Sequence, residues 1–233
     1  MNEPETIKSI FTQIAPRYDA ANHILSFGLD FLWRKKLVRL ANPLPGEKLL
    51  DACCGSGDLA IEFAKKCGGL EITGCDFSGE MIRLAQEKSR KKGLDIKWLQ
   101  ADCLKTGFND SSFDTVSCAF GIRNIPEYEK SVQEIYRILK TGGKVAILEF
   151  SVPENAISRP LFWLYLCYLL PLIGGIITGY YRHYKYLTGS IKRWHETANL
   201  VDILKSAGFD HVTVKRFSFG LVKAYIACKG SKK

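Results

Sequence analysis

Apolar positions in the first forty residues recur every three or four residues, the spacing of one helix face. The first run contains Ile7, Ile10, Phe11 and Ile14. It ends at Pro16, and a second helix is expected from about Leu29 to Leu40. The Asn-Pro-Leu-Pro-Gly stretch ending at Gly46 then breaks the chain. The pattern predicts a helical cap over residues 1–41.

From residue 48 onward, short apolar runs alternate with segments of helical periodicity. Strands are expected at 48–52, 71–75, 96–101, 113–119, 144–150, 212–217 and 224–228. Helices are expected at 58–66, 79–92, 127–139 and 196–207, with a turn at 141–143. Such alternation is typical of an α/β domain whose parallel sheet is covered by helices on both faces. We expect one domain, with a core at 42–152, an apolar insertion at 153–190 and the end of the sheet at 191–233.

The composition narrows the possible partners and compartments. The chain has 233 residues and a formal charge of +9, which favours anionic partners such as a phospholipid surface or an acidic substrate. Nucleic acid is not expected, because no basic run is interleaved with aromatic residues. The eight cysteines form no C-x-x-C pair, so we expect buried thiols in a reducing compartment and no metal site. No basic-then-apolar leader opens the chain, and the expected location is cytoplasmic.

The strongest local signal follows the first expected strand, in the run Leu49-Leu50-Asp51-Ala52-Cys53-Cys54-Gly55-Ser56-Gly57-Asp58. Gly55 and Gly57 allow a ligand to approach the backbone at a helix start, where N–H groups are unpaired. Ala60 stands where a dinucleotide fingerprint has its third glycine, a variant that occurs, so the loop alone does not exclude NAD. Asp51 argues against NAD, because a carboxylate at this position attracts a cationic amino group and repels a pyrophosphate. A generic tight turn is the alternative.

Two further acidic residues follow successive expected strands. Asp76 ends the second strand about twenty residues after the glycine turn, where an acidic side chain can bind ribose hydroxyls. Asp102 ends the third strand, with Cys103 beside it, and could accept a hydrogen bond from an adenine amino group. Each aspartate alone could be a helix cap or a solvated loop residue. Together with Asp51 and the turn they predict a nucleoside site at the carboxyl ends of the strands.

The segment from Pro160 to Tyr181 contains no charged residue. Twenty-two residues are enough to span a membrane, and Pro171 or Gly174-Gly175 would not prevent it. Its position between two core strands argues against a span, because the sheet would then be divided by the bilayer. We expect a lid over the site that gives a lipid tail an apolar groove, with Arg159, Arg182, His183 and Lys185 at lipid headgroups. A dimer interface or additional core is the alternative.

Three further motifs carry a family resemblance over nearly the whole chain. They are Tyr18-Asp19-Ala20-Ala21-Asn22-His23-Ile24-Leu25-Ser26 with Trp33, Phe120-Gly121-Ile122-Arg123-Asn124, and the segment from Arg137 to Val145 with Leu148-Glu149-Phe150-Ser151. In these motifs the chain resembles the quinone-biosynthesis C-methyltransferases, which methylate demethylmenaquinol or a polyprenyl-methoxy-benzoquinol. It departs from the family pattern at four positions, namely Ala21 for Met, Asp30 for His, Ala119 for Ser and Thr141 for Pro.

The resemblance implies a Rossmann-like class I methyltransferase with a mostly parallel seven-stranded sheet and S-adenosylmethionine (SAM) as cofactor, without a metal. By motif, Ser56, Asp76, Asp102 and Cys103 resemble cofactor contacts of the family. The complete set of candidate cofactor residues is Asp51, Gly55, Ser56, Gly57, Asp76, Phe77, Asp102 and Cys103.

The candidate catalytic residues are Arg123, Asn124 and Tyr18. Arg123 is the suspected catalytic residue of the resembled family, and a guanidinium can stabilise a phenolate although it is a poor base. Its alternative role is a salt bridge, with Glu149 or Asp114. Asn124 could orient a quinol oxygen, and Tyr18 could bind the substrate or only pack. The other candidate proton acceptors by type are His23 and His195, and a surface or cap position is the alternative for each.

The expected function is therefore SAM-dependent C-methylation of a polyprenylated quinol by a cytoplasmic enzyme that is peripheral at an anionic membrane surface. A homodimer is the other partner considered. A quinol deprotonated at one hydroxyl has an electron-rich neighbouring carbon, which attacks the methyl group, so the protein mainly positions, desolvates and removes a proton. The alternatives are methylation of another hydrophobic small molecule, or a SAM- or lipid-binding accessory protein without turnover.

Overall fold

The computed structural model describes residues 10, 12–13 and 15–230. The first expected helical run therefore lies largely outside the described residues. The described part of the cap comprises a 3-10 turn (Ala15–Arg17), α1 (Tyr18–Leu25) and α2 (Leu29–Ala41). The alternating core comprises β1 (Lys48–Ala52), α3 (Asp58–Lys66), β2 (Glu71–Asp76), α4 (Gly79–Lys91), β3 (Lys97–Gln100), β4 (Phe113–Ala119), a 3-10 turn (Ile122–Asn124), α5 (Tyr128–Ile138) and β5 (Leu139–Phe150).

The apolar segment that follows forms one continuous helical stretch made of α6 (Ser158–Leu164), a π-helical turn (Tyr165–Leu169) and α7 (Leu170–Thr178). We call residues 158–178 the lid helix. The chain continues with α8 (Tyr181–Thr197), α9 (Leu200–Ser206), β6 (Phe209–Phe217), a 3-10 turn (Ser218–Gly220) and β7 (Val222–Lys229).

The seven strands form a single sheet in the order β3-β2-β1-β4-β5-β7-β6. Neighbouring strands from β3 to β5 are parallel, whereas β7 is antiparallel to both β5 and β6. Helices cover both faces: α5 and α9 pack on one side, α2 and α3 on the other. This arrangement confirms the mostly parallel, Rossmann-like sheet expected from the sequence.

The two largest departures from the expected element bounds lie in β5 and at the junction of α8 and α9. The expected turn at 141–143 lies inside β5, because Phe113 pairs with Leu139 while Thr115 pairs with Lys144, and a bulge absorbs the additional residues. The helix expected at 196–207 is divided, since α8 ends at Thr197 and α9 begins at Leu200. The expected break before residue 144 is thus absent, and an unexpected break lies between α8 and α9.

The lid helix is held by a small third cluster of buried residues. Leu166 and Leu170 of the lid helix pack against Ala21 and Leu25 of α1 and Ile191 of α8. The lid helix is long and apolar enough to cross a membrane by length and composition alone, and 28% of its most apolar window is buried within the protein. One side of it therefore packs on the protein while much of the remainder is exposed.

The strand order places the candidate site. The chain runs outward from β1 to β2 and β3 on one side, and from β4 to β5 on the other. The loops after β1 and β4 consequently diverge at their carboxyl ends and leave a crevice, which is where ligands bind in open α/β sheets. The glycine turn follows β1 and the segment with Arg123 follows β4, so both lie at this crevice.

Candidate active site

The turn after β1 requires unusual backbone geometry. Gly55 and Gly57 adopt positive φ angles of 53° and 86°. A Cβ atom on Gly57 would lie 2.5 Å from the Trp98 ring, so glycine is needed there for packing. Gly55 instead lines both cavities described below. The two glycines of the turn thus have different surroundings, since Gly57 packs against Trp98 and lines neither cavity.

Asp51 is buried at the base of this turn. Its Oδ1 accepts a hydrogen bond from Ser117 Oγ at 2.8 Å, and its Oδ2 accepts one from the Ala60 backbone N–H at 3.1 Å. Burial raises the pKa of Asp51 to about 7, although both hydrogen bonds oppose that shift. A nearby cation would favour its ionised form, as the sequence-based hypothesis of an amino-group partner requires.

Asp76 lies at the end of β2 and closes the other side of the turn. Its Oδ2 accepts from the Gly55 backbone N–H at 2.9 Å and its Oδ1 from the Ser78 backbone N–H at 3.0 Å. Burial raises the pKa of this carboxyl to about 6. Asp76 therefore fixes the turn through Gly55 while it also lines a cavity.

A cavity of about 120 Å³ lies between these acidic residues and the loop after β4. We call it the acidic cavity because Asp76 and the exposed Asp102 both line it. Gly55, Phe77 and Cys103 also line it, so five residues predicted to contact the cofactor come together here. Cys103 Sγ lies 3.1 Å from Cys53 Sγ, and this contact raises the pKa of the Cys53 thiol and lowers that of Cys103.

Ser56 belongs to a charged network between the cap and the core. Its Oγ donates to Asp19 and accepts from Lys88 Nζ at 3.0 Å. Lys88 Nζ also donates to Asp19 Oδ2 at 2.8 Å and to Asp58. This network connects α1 to the glycine turn, so Ser56 is engaged within the protein and lies at the edge of the larger cavity.

The larger cavity has a volume of about 410 Å³ and lies under the lid helix. We call it the apolar cavity, since Leu161, Phe162, Leu166 and Leu170 of the lid helix and Leu187 of α8 contribute to its wall. It shares six lining residues with the acidic cavity, and these are Tyr18, Cys53, Gly55, Ala119, Phe120 and Asn124. A ligand in one cavity would therefore meet a ligand in the other at this common wall.

Arg123 lies beside the common wall and forms the predicted alternative pair. Its Nη1 lies 2.7 Å from Glu149 Oε1, and both side chains are buried. Arg123 also donates to the Phe120 carbonyl and, at 3.4 Å, to Ser190 Oγ. Asp114, the other partner considered, instead pairs with Lys140. The guanidinium still lines the apolar cavity, so the ion pair holds it in place without removing it from the site.

Tyr18 and Asn124 both line the two cavities. Burial raises the pKa of Tyr18, while the charges of Arg123 and Arg34 act in the opposite direction. Asn124 Nδ2 donates a long 3.4 Å bond to the Phe120 carbonyl, which leaves its amide oxygen available. The structure therefore brings all three candidate catalytic residues to the apolar cavity, with Tyr18 and Asn124 in the common wall and Arg123 beside it.

The two histidines considered from the sequence lie elsewhere. His23 Nδ1 is 2.7 Å from Asp30 Oδ2, its ring stacks on Phe31, and it lines neither cavity. His195 is exposed. Within the described residues, His23, Asp30 and Asp58 are close enough to hold a cation. However, Arg34 pairs with Asp30, and Lys88 pairs with Asp58, so protein cations already neutralise these carboxylates.

Sequence reasoning missed the polar residues of α8. His183 was expected at lipid headgroups, but it lines the apolar cavity together with Tyr184 and Tyr186. A signal was available, because 183, 187 and 191 share one face of a helix and apolar residues occupy the last two positions. Without the packing of α8 on the lid helix, however, that face could equally well have been assigned to solvent.

Comparisons with known proteins agree with this geometry. A model of the ubiE/COQ5 methyltransferase family matches residues 1–229. The demethylmenaquinone methyltransferase of Thermus thermophilus is 37% identical over 93% of this chain and 98% of its own length. The ubiquinone/menaquinone biosynthesis C-methyltransferase UbiE of Bdellovibrio bacteriovorus is 40% identical over 88% of this chain and 87% of its own.

Solved structures agree on the fold. A SAM-dependent methyltransferase from Aquifex aeolicus has a TM-score of 0.62 at 20% identity, covering 84% of this chain and 89% of the other. Phosphoethanolamine N-methyltransferase 2 of Haemonchus contortus, solved with SAM, gives 0.62 at 20% identity, over 85% of this chain and 52% of the other. The expected fold is confirmed, and the expected enzyme class and SAM cofactor are confirmed at the level of the family. By the matched family model and the identity to its curated members, this chain belongs to the ubiE/COQ5 methyltransferase family.

Proposed function

We propose that this chain transfers the methyl group of SAM to a ring carbon of a polyprenylated quinol, the step for which its demethylmenaquinone methyltransferase relatives are named. One observation carries the proposal: an apolar cavity and an acidic cavity share a wall that contains Tyr18 and Asn124, with Arg123 beside it. A methyl donor on one side and an apolar acceptor on the other would meet at that wall.

The residues of the acidic cavity fit SAM. The carboxylates of Asp76 and Asp102 accept hydrogen bonds, and ribose hydroxyls and an adenine amino group donate them. Asp51 and the Gly55 turn line the apolar cavity next to the common wall, where the cationic amino-acid end would be held. When bound there, SAM supplies an electrophilic methyl group on a sulfonium and a good leaving group.

The protein's own contribution is to prepare the quinol. Arg123 places a fixed positive charge at the wall and stabilises the phenolate that forms when a hydroxyl loses its proton. The Asn124 amide and the Tyr18 hydroxyl can orient the same oxygen. The lid helix excludes water from the ring, which strengthens these interactions.

The membrane location of a polyprenyl quinol accounts for the exposed apolar side of the lid helix. Leu164, Tyr168, Leu172 and Ile176 are exposed at four-residue intervals and form one stripe along the lid helix. We call this the outer stripe. Exposed basic residues lie on both sides of the uncharged segment, with Arg159 before it and Arg182 and Lys185 after it. Such a stripe, in a chain of net charge +9, suits the surface of an anionic bilayer, where a polyprenyl quinol resides. The enzyme is thus a cytoplasmic protein that binds the membrane peripherally, with the lid helix lying on the bilayer.

A direct experiment tests the reaction. The protein is incubated under reducing, oxygen-free conditions with a short-chain demethylmenaquinol and SAM that carries a trideuteromethyl group. Mass spectrometry should find the label on a ring carbon, and the oxidised quinone should give no product because its ring is electron-poor. Label on oxygen, or transfer only to other hydrophobic acceptors, would contradict the proposal. Sedimentation with vesicles and analytical ultracentrifugation would show whether the outer stripe contacts lipid or a second copy of the chain.

A further inference from the structure

Buried polar atoms without a partner concentrate around one cavity. Among the described residues, four buried side-chain atoms form no hydrogen bond: Glu149 Oε2, His183 Nδ1, Tyr184 Oη and Tyr186 Oη. Glu149 is the ion-pair partner of Arg123, and the other three residues line the apolar cavity. Buried polar atoms are nearly always paired in folded proteins, so this concentration calls for a ligand.

The two tyrosines lie close to the catalytic wall. Tyr184 is 3% exposed, and its hydroxyl lies within electrostatic range of Tyr18. Tyr186 lies within electrostatic range of Arg123, whose Nε also donates to Ser190 one helical turn further along α8. Their hydroxyls are thus held on α8, on the side of the cavity that faces α1 and the loop after β4.

Packing holds Tyr184 in this position. A Cβ atom on Gly174 would lie 2.4 Å from the Tyr184 ring, so the glycine lets α8 lie directly against the lid helix. Leu166 and Leu170 of the lid helix and Ile191 of α8 complete the same buried cluster. The Thr178 hydroxyl lies beside Tyr184, but it already donates to the Gly174 carbonyl and accepts from the Tyr180 N–H. The apolar side chains of the cluster cannot form hydrogen bonds with a hydroxyl.

We propose that Tyr184 and Tyr186 bind the second oxygen of the quinol ring, the one para to the oxygen held by Arg123, Asn124 and Tyr18. A quinol has two hydroxyls on opposite sides of a flat apolar ring, and the cavity offers the two α8 tyrosines in addition to Arg123, Asn124 and Tyr18. With both oxygens bound, the ring can present only its unsubstituted carbon to the methyl donor. This inference rests on the proposed function and adds the residues that select a para-diol.

The test compares two ligands and three variants. The ligands are a short-tailed naphthoquinol and the matching naphthol that lacks the second hydroxyl. The variants are Tyr184→Phe, Tyr186→Phe and the control Tyr128→Phe, whose ring packs on Trp194 and lines neither cavity. Binding is measured by quenching of intrinsic fluorescence, because Trp33 lines the apolar cavity. Thermal unfolding of each variant checks folding.

Tyr184→Phe and Tyr186→Phe should each weaken quinol binding by about ten-fold and leave naphthol binding unchanged, while the control changes neither. Equal losses for both ligands would show that the tyrosines only pack, and no loss for either would place the second oxygen elsewhere. Both results overturn the inference. Turnover of the wild-type protein tests the proposed function separately. If the variants show the expected binding pattern but the wild-type protein transfers no methyl group, only the proposed reaction is contradicted.

Discussion

The guanidinium Nη1 of Arg123 lies 2.7 Å from Glu149 Oε1, and the second carboxylate oxygen of Glu149 has no hydrogen-bond partner. Burial raises the pKa of Glu149, whereas the charge of Arg123 lowers it. Arg123 therefore stabilises the ionised form of a buried carboxylate, and the same guanidinium faces the apolar cavity. A guanidinium anchored in this way is a fixed electrostatic group, and it needs no reorganisation when negative charge develops on a substrate oxygen.

Arg123 should matter for turnover more than for cofactor affinity. Arg123→Ala should lower kcat by about 10²–10³-fold, since one preorganised charge is lost, while SAM affinity changes little. Arg123→Lys keeps the charge but loses the planar fork and should recover only part of the rate. Arg137→Lys is the matched control, because Arg137 pairs with Glu134 away from both cavities. A near-normal kcat for Arg123→Ala at saturating quinol would show a purely structural role.

Glu149 should matter for stability through the charge that it balances. Glu149→Ala should lower the free energy of unfolding by about 3–5 kcal/mol, because Arg123 is left as an uncompensated buried charge. The double variant Arg123→Leu/Glu149→Leu removes both charges and should be more stable than Glu149→Ala. Urea unfolding of Arg123→Leu, Glu149→Leu and the double variant measures the coupling, because the single and double variants must carry the same substitutions. Strictly additive losses would mean that the two side chains do not stabilise each other.

Asp76 should be needed for SAM binding. Asp76→Ala removes hydrogen bonds to a charged acceptor and should weaken SAM affinity by roughly ten- to a hundred-fold, since such bonds contribute about 1.5–3 kcal/mol. Calorimetric titration measures the change. Asp95→Ala, at an exposed aspartate in the loop before β3, is the control. Because Asp76 also accepts from the Gly55 backbone, Asp76→Asn separates loss of charge from loss of the turn. Unchanged titration in both Asp76 variants would remove Asp76 from the cofactor site.

The buried aspartates predict a pH dependence of opposite sign for folding and for SAM binding. Burial raises the pKa of Asp51 to about 7 and that of Asp76 to about 6, both above the 3.8 of a free aspartate. The folded ligand-free protein thus binds more protons than the unfolded chain in this window. The stability from these groups is present at low pH and decreases as pH rises towards 7.

SAM affinity should instead increase from about pH 5.5 to 8, because a cationic amino group and ribose hydroxyls favour ionised carboxylates. Calorimetry and thermal unfolding across this range measure both trends. Asp51→Asn should flatten the stability profile in its upper part, near pH 7. A SAM affinity that falls with rising pH would contradict the assignment of these carboxylates.

The lid helix should have two separable faces. Leu170 and Phe162 line the apolar cavity, so Leu170→Ala and Phe162→Ala should raise KM for long-tailed quinols more than for tail-less analogues. Leu169 and Leu172 are 45% and 54% exposed and line neither cavity. Leu169→Ser/Leu172→Ser should weaken binding to anionic vesicles and leave KM for tail-less quinols unchanged.

The vesicle measurement also tests how the protein meets the bilayer. Binding should decrease with salt, because each basic residue near an anionic surface contributes about 1 kcal/mol that salt screens. Resistance to extraction by salt and carbonate would identify the lid helix as a true span. If Leu170→Ala and Phe162→Ala raise KM equally for long and short tails, the lid helix does not hold the tail.

The parts of the fold that depend on local pattern could be predicted from the sequence. The helix Asp58–Lys66 and the strand Phe113–Ala119 have the bounds expected from their periodicity. The bulge in β5 could not be predicted, because pairing with β4 decides it. Among site residues, the acidic cavity follows from strand ends. The cavity-facing side of α8 does not, because it depends on contact between Gly174 and Tyr184, which lie on different helices.

The wall shared by the two cavities has a consequence for inhibitor chemistry. Tyr18, Gly55 and Asn124 line both cavities, so a ligand in one cavity would lie next to a ligand in the other at this wall. A single compound that joins an adenosine moiety to a naphthalene-diol through a linker of one or two atoms could occupy both cavities at once. Its second half would bind at the effective concentration set by that short linker, so its affinity should exceed that of either half by orders of magnitude.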